Sequence, residues 1–149
     1  MKKRSIGGFI ALALLACITQ AATLKEVPMR GNGSGQITSQ TPGPNGVAIT
    51  AVGEGEATHL GKFTREENIL LNPENSTITG TIVFTAADGS ELYCGFAGAF
   101  TGATTVAGTY TITGGTGRFD GATGAAFFDI TLGDAGSFSF GFAGTISMP

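Results

Sequence analysis

The chain has 149 residues, of which 25 are glycine, 11 are phenylalanine and only 13% are charged. This length fits one domain, and low charge with good hydrophobic content argues against a disordered chain. After residue 22, five Lys and Arg side chains stand against eleven Asp and Glu side chains, a net charge of −6. No basic surface remains to hold a phosphate backbone, so the composition argues against nucleic acid as a partner.

The N-terminus has the pattern of an export signal. Lys2, Lys3 and Arg4 form a positive region, and an apolar run follows over residues 6–18. That run is too short to span a bilayer comfortably. We therefore expect an exported protein, periplasmic or extracellular, with a signal peptide at residues 1–22 and a single β-barrel domain at residues 23–149.

A second cleavage site competes with the first. Thr19-Gln20-Ala21 fits an ordinary signal peptidase, whereas residues 14–17, Leu-Leu-Ala-Cys, resemble a bacterial lipobox. In the lipobox interpretation the signal ends at residue 16 and Cys17 carries a lipid that anchors the protein to the bacterial envelope. Either way Cys94 has no free cysteine to pair with, so we expect no intrachain disulfide.

The segment after the predicted signal peptide combines a short predicted strand with a predicted loop. Residues 24–29 predict a first strand, and Pro28 implies an edge position or a bulge. Glycines over residues 31–35 and the Pro-Gly-Pro-Asn-Gly run at 42–46 then predict a loop. The sequence therefore predicts an irregular N-terminal segment that ends near residue 46.

From residue 47 onward, strand-length runs alternate with turn signals. The clearest hairpin joins residues 77–86 to residues 91–100 through Asp88-Gly89, a pair that tolerates the positive φ angles of a type I′ turn. Further strands are predicted at residues 105–113, 122–132 and 137–146. Residues 64–67 have the form of a helical capping box, but Asn72-Pro73 would stop such a helix after about two turns, so we predict a strand there.

Alternation along these strands places the large apolar side chains on one face. The other face consists mostly of Thr, Ser, Ala and Gly. With no helix in the mature chain, the apolar face has to be covered by the sheet itself, which leaves a barrel or a sandwich. Glycines inside the strands, such as Gly80, Gly98 and Gly144, permit sharp curvature. The prediction is an all-β, closed or nearly closed antiparallel barrel.

Two stretches carry a resemblance to a known superfamily. Residues 111–124, TITGGTGRFDGATG, resemble the glycine-rich hairpin of the allene oxide cyclase-like and dirigent-like barrels, and residues 58–64, THLGKFT, are similar to a stretch in small secreted bacterial members. The resemblance implies an antiparallel eight-stranded barrel that often self-associates, in some members with an apolar cavity. The plant cyclase uses a carboxylate inside the barrel, but these stretches are turn and packing motifs and carry no catalytic residue over to this chain.

Four residues are candidates for holding a ligand. Counting alternate residues from Val47 places His59, Arg65 and Glu67 on the inward face, as a polar group at one barrel mouth, and Tyr110 points inward on its own strand. A carboxylate beside an imidazole supports acid–base chemistry. The structural alternative is a hydrogen-bonded His59 with Arg65 and Glu67 as an ion pair on the rim.

The remaining reactive residue types give no catalytic or metal site. Cys94 shares the inward parity and is expected to be a small buried hydrophobe. One histidine without spaced Cys or Asp predicts no metal, and no cofactor motif is present. No nucleophile can be tied to His59.

Three functions remain open. The first is an exported, non-enzymatic barrel that holds a small hydrophobic ligand or serves as an assembly module, with self-association into a homo-oligomer. The second is a cyclase-like or isomerase-like enzyme acting on a hydrophobic substrate inside the barrel, and the third is a structural envelope protein with a filled core. The volume inside the barrel discriminates among them.

Overall fold

Eight strands make up most of residues 24–149, the part of the chain that the computed structural model describes. The strands are β1 (Lys25–Gly43), β2 (Gly46–Ala57), β3 (Gly61–Asn72), β4 (Thr77–Ala86), β5 (Glu91–Phe100), β6 (Thr105–Gly115), β7 (Thr123–Leu132) and β8 (Ser137–Met148). Each is antiparallel to the next, and β8 pairs with β1 to close the barrel. The predicted fold class is confirmed. The predicted signal peptide and Cys17 lie outside the described residues.

The interior is built by the alternation that the sequence predicts. Most inward side chains of β4 to β8 are buried, and many of them are aromatic, whereas Phe100, Ile130 and Leu132 are partly buried. Large buried apolar residues include Met29, Phe63, Ile82, Phe84, Leu92, Phe96, Tyr110, Phe119, Phe128, Phe138, Phe140, Phe142 and Ile146. Burial of this apolar surface is the main force holding the barrel closed. Residues 64–67, which have the form of a helical capping box, lie in β3, so the prediction of a strand there is confirmed.

The predicted loop is wrong over residues 31–43, because β1 continues without a break to Gly43, whereas the Pro-Gly-Pro-Asn-Gly run does contain the β1–β2 turn at residues 44–45. The inward glycines Gly31, Gly33 and Gly35 pair with the phenylalanines of β8, whose rings lie over them. A Cβ on Gly33 would approach Phe140 Cζ to 2.6 Å. Glycine is thus required here by the β2 backbone beside it and the large ring opposite it, not by a turn. Pro28, by contrast, precedes the first β1–β2 pair, so its missing N–H removes no bond on that side.

Buried residues of two connections close one end of the barrel. Leu60, between β2 and β3, and Phe119, between β6 and β7, are 3% and 0% exposed. Phe119 lies in a short 3-10 helix, Gly117–Phe119, which begins with the positive φ of 56° at Gly117. We call this end, with the β2–β3, β4–β5 and β6–β7 connections, the plugged end. The opposite end, with the β1–β2, β3–β4, β5–β6 and β7–β8 connections, is the pocket end.

The β4–β5 hairpin has the predicted strand limits but a different turn. Gly89 has a φ of 85°, whereas Asp88 is not among the residues with positive φ, and the Gly89 N–H donates to the Ala86 carbonyl at 2.9 Å. A type I′ turn needs positive φ at both central residues. The connection is therefore a type I turn followed by a glycine in the left-handed region. Asp88 adopts ordinary φ because its carboxylate accepts the Ser90 N–H, 2.9 Å away.

None of the helical turns within residues 24–149 has the length and hydropathy needed to cross a bilayer.

Candidate functional site

A pocket of about 170 Å³ lies inside the barrel at the pocket end. Its walls are aliphatic and aromatic side chains from all eight strands: Ile37, Ile49, Ala51, Ile69, Leu71, Ile78, Phe100, Val106, Ile130, Leu132 and Phe138. The two polar residues in its lining are Gln40 and Glu67. An apolar cavity of this size with few polar groups takes a molecule about as large as benzene.

A buried polar cluster of Arg65, Glu67 and Tyr110 lies below this pocket. Arg65 Nε and Nη2 both donate to Glu67 Oε1, at 3.1 and 2.6 Å, and Arg65 Nη1 donates to the Tyr110 hydroxyl at 3.1 Å. The Arg65 side chain is fully buried and the Glu67 side chain is 3% exposed. The three residues meet because Arg65 and Glu67 are two positions apart on β3 and share a face, while Tyr110 points inward from β6.

The cluster is enclosed by aromatic rings. The Arg65 guanidinium carbon lies 3.8 Å from the Phe140 ring centroid, a cation–π distance, and the Tyr110 ring stacks on Phe128 with centroids 4.5 Å apart. An ion pair in such surroundings is costly to desolvate, and apolar residues of equal volume are often as stable. The sequence alternative of a rim ion pair is therefore wrong in its location: Arg65 and Glu67 pair inside the barrel.

Burial fixes the protonation of the other interior groups. Loss of solvent raises the pKa of Tyr110 to about 12, against the opposing effect of Arg65. Burial likewise raises the pKa of the Cys94 thiol to about 12. Both groups are neutral near pH 7, so Tyr110 does not serve as a base and Cys94 is not a reactive thiolate. The expectation that Cys94 is a buried hydrophobe is confirmed by its 2% exposure.

The structure places His59 away from the other three candidates. It lies in the β2–β3 turn at the plugged end, exposed, with a φ of 67°. The strand alternation that predicted an inward side chain ends at Ala57, and the left-handed turn residue breaks the count. The His59 carbonyl accepts a hydrogen bond from Arg118 Nη1 at 2.7 Å, and Arg118 Nε also donates to Asp88 Oδ2 at 2.6 Å. Arg118 thus links three turns at the plugged end.

Gln40 and Ile37 are site residues that the sequence reasoning missed. A bulge between Ile37 and Ser39 inserts one residue, so that Ile37 pairs with inward Ala51 and Gln40 pairs with inward Ile49. The inward parity changes from odd to even at this point. Alternate apolar residues alone do not reveal such a change, although the isolated Ile37 in a polar stretch was a usable signal.

Within residues 24–149, no cluster of three or more His, Cys, Asp or Glu side chains is arranged to hold a metal ion. The interior offers instead one carboxylate, one neutral phenol and one paired guanidinium. This set can orient a polar group of a ligand by hydrogen bonding.

Comparison with known proteins identifies the fold alone. No family model matches the sequence, and no curated protein matches it. Among solved structures, the pterocarpan synthase dirigent protein GePTS1 aligns with a TM-score of 0.59 at 15% identity, over 84% of this chain and 89% of that one. The pterocarpan synthase dirigent protein PsPTS1 aligns with a TM-score of 0.57 at 12% identity, over 85% of this chain and 96% of that one. The described chain therefore has the eight-stranded antiparallel barrel fold of dirigent proteins, as the glycine-rich hairpin implied.

Proposed function

We propose that this protein is a non-enzymatic barrel that holds a small apolar ligand in the pocket above Arg65 and Glu67. The observation that carries the proposal is the pocket itself: about 170 Å³ of apolar space that reaches a buried carboxylate from one open end. A barrel with a purely structural role would fill this volume with side chains. At the plugged end, by contrast, the connections bury Leu60 and Phe119 inside the barrel.

The interior chemistry supports holding rather than turnover. The residues near the pocket supply no nucleophile with an adjacent base, and the histidine of the chain lies at the other end of the barrel. Glu67 is already engaged by Arg65 through Oε1. The solved neighbours are named as pterocarpan synthase dirigent proteins, and a barrel that holds an apolar molecule is compatible with that similarity of fold.

Filling the pocket tests the proposal. Ile69 and Leu70 are neighbours on β3 that point to opposite sides of the barrel wall, since Ile69 lines the pocket and Leu70 is 40% exposed outside. Ile69→Phe should abolish binding of small aromatic probes, measured by ligand-observed NMR, while Leu70→Phe should bind as the parent does. Equal binding by both variants, or a measurable conversion of a hydrophobic substrate that the parent performs, would contradict the proposal.

A second observation supports the assembly role. Phe127, on the outer face of β7, is 74% exposed. Five of its outward neighbours on β6 to β8 are uncharged: Thr109, Thr111, Ala125, Ala143 and Thr145. Contiguous exposed apolar surface marks interaction sites, and Phe127 is the most exposed large apolar side chain among residues 24–149. We call these six residues the Phe127 patch.

The occupant that fits the Phe127 patch is a second copy of this chain. The described residues carry a net charge of −6, so two copies repel wherever their acidic surfaces face each other. The patch contains no charged residue, so contact through it places fewer like charges against each other than contact through the acidic remainder of the surface. Asp129, the next outward residue of β7, lies at its border.

Sedimentation of single variants tests this role. Phe127→Ser should shift the protein to monomer. Val52 on β2 is another exposed apolar side chain, 43% exposed, and Val52→Ser should leave the assembly unchanged. A parent protein that sediments as a monomer at all concentrations would contradict the proposal.

We also propose that the barrel is exported, on the basis of the N-terminal signal pattern at residues 1–22. Mass-spectrometric mapping of the native protein should find an N-terminus near Ala22 or at a lipid-modified Cys17. An intact Met1 in the native protein would contradict export by this signal.

A further inference from the structure

We propose that the pocket selects uncharged ligands that carry one hydroxyl donor, through Glu67 Oε2. This inference rests on the proposed ligand-holding function and adds the chemical class of the ligand. It follows from how the two oxygens of one carboxylate are used. Both Arg65 bonds go to Oε1, and none of the side-chain hydrogen bonds among residues 24–149 goes to Oε2.

Oε2 is not sealed in the protein interior. Among the described residues, every buried side-chain nitrogen and oxygen has a hydrogen-bond partner. Since Oε2 has no partner, it has to be in contact with open space, and the space beside Glu67 is the pocket. Glu67 is otherwise 4% exposed as a residue. The pocket therefore presents one acceptor oxygen at the inner end of apolar walls.

Charge decides which donor this oxygen accepts. The Glu67 carboxylate is already neutralised by Arg65 at 2.6 Å, so the site has no net negative charge to attract a cation. Transfer of an ammonium into apolar surroundings without its own counter-ion is strongly unfavourable. A carboxylate ligand would place its negative charge against the carboxylate oxygen Oε2, and the two would repel each other. An uncharged O–H donor satisfies the oxygen and leaves the rest of the ligand against the apolar walls.

Size limits the ligand to about one ring. A cavity near 150 Å³ accepts benzene, and the pocket of about 170 Å³ leaves room for a ring with one small substituent. Gln40, at the mouth, offers both a donor and an acceptor, so it does not discriminate between ligand classes. Discrimination therefore depends on Glu67.

Three fluorinated probes of nearly equal size test the inference by ligand-observed 19F NMR: 4-fluorophenol, 4-fluorotoluene and 4-fluorobenzoate. A hydrogen bond to a charged acceptor should make 4-fluorophenol bind at least about tenfold more tightly than 4-fluorotoluene. The benzoate should not bind detectably. Binding of phenol and toluene with equal affinity would overturn the inference and leave the proposed function standing, and binding of none of the probes would overturn both.

A variant that removes the Glu67 carboxylate tests whether Oε2 causes the preference for a hydroxyl donor. Glu67→Gln keeps the shape and places an amide at the pocket, but it leaves Arg65 charged and without a carboxylate, which can prevent folding. The triple change Arg65→Met, Glu67→Leu and Tyr110→Phe replaces the whole cluster by apolar side chains of similar size. It should retain the barrel by circular dichroism and still bind 4-fluorotoluene, while the preference for 4-fluorophenol disappears. A preference that survives the triple change would overturn the assignment to Glu67.

Discussion

Arg65 Nη1 donates a hydrogen bond to the Tyr110 hydroxyl, 3.1 Å away across the barrel interior, and so joins β3 to β6. The two residues are 45 positions apart in the sequence, and their strands are not neighbours in the barrel. This is the third hydrogen bond of the guanidinium, after the two to Glu67 Oε1. The buried charge thus depends on a side chain from the opposite wall.

Tyr110→Phe should lower the free energy of unfolding by about 2 kcal/mol, because a buried Arg65 N–H loses its acceptor. The ring and its stacking on Phe128 are retained, so the loss reports the hydroxyl. Urea unfolding followed by circular dichroism measures it. Tyr93→Phe is the matched control on the outer face of β5, and it should change stability by less than about 0.5 kcal/mol. Equal effects of the two changes would contradict a structural role for the Arg65–Tyr110 bond.

Gly33→Ala should destabilise the barrel by about 2 kcal/mol, because the added methyl group overpacks the interior. Its Cβ would contact the Glu54 carbonyl oxygen and lie 2.6 Å from Phe140 Cζ. At Gly95, on β5, the nearest atom to an added Cβ is 3.9 Å away. Gly95→Ala should therefore be neutral or stabilise by about 0.5 kcal/mol through the unfolded state. Thermal melts of the two variants beside the parent compare them, and a stable Gly33→Ala protein would contradict the close ring–glycine packing.

Gly117→Val should be among the most damaging single changes at the plugged end. Gly117 has a φ of 56°, and a Cβ there would contact Ser90 Oγ. The left-handed conformation alone costs about 1–2 kcal/mol for a side chain, before the contact with Ser90 is added. Differential scanning calorimetry should show a clear fall in Tm, and an unchanged Tm would contradict the conformation assigned to this turn.

Replacement of His59 should leave both fold and ligand binding intact. The side chain is exposed and lies at the end opposite the pocket, and Arg118 bonds to its carbonyl, not to its imidazole. His59→Ala should change stability by about 0.5 kcal/mol or less. His59→Gly should stabilise by about 1 kcal/mol, because glycine adopts the φ of 67° without strain. A loss of ligand binding in the stable His59→Ala protein would contradict the location of the site.

Acid should weaken the plugged end through Asp88. The hydrogen bond from Arg118 lowers the pKa of Asp88 to about 2, with a further contribution from the Ser90 N–H. An unfolded Asp has a pKa of about 3.9. Because the folded pKa is the lower one, the contribution of Asp88 to stability is present above about pH 5 and is lost as the pH falls from about 4 through 2.

Carboxyl NMR titration of the Arg118→Met variant checks this assignment. The Asp88 pKa should return toward 3.8, its ordinary value, and acid unfolding should become less steep in that pH range. Arg30→Met, which removes an exposed arginine on β1, should leave the Asp88 titration unchanged. A parent protein in which Asp88 titrates with an ordinary pKa would contradict the Arg118–Asp88 contact.

The sequence by itself determined the fold class, most strand limits and the inward direction of three of the four candidate site residues. These features depend on local rules: side chains alternate along a strand, and glycine-rich turns interrupt it. The hairpin of β4 and β5 has the strand limits that the pattern predicted. Arg65, Glu67 and Tyr110 have the predicted inward parity because their strands are regular around them.

Only the tertiary structure decided what depends on partners distant in the chain. The glycines of β1 predicted a loop from the sequence, but in the structure they make room for the phenylalanine rings of β8. A bulge after Ile37 directs Gln40 inward, which only the pairing with β2 shows. The turn after Ala57 left His59 in solvent, where strand parity no longer applies. The size of the pocket is the volume that the closed barrel encloses minus the volume of the side chains inside it. The enclosed volume depends on how all eight strands pair, so residue spacing along one strand does not reveal it.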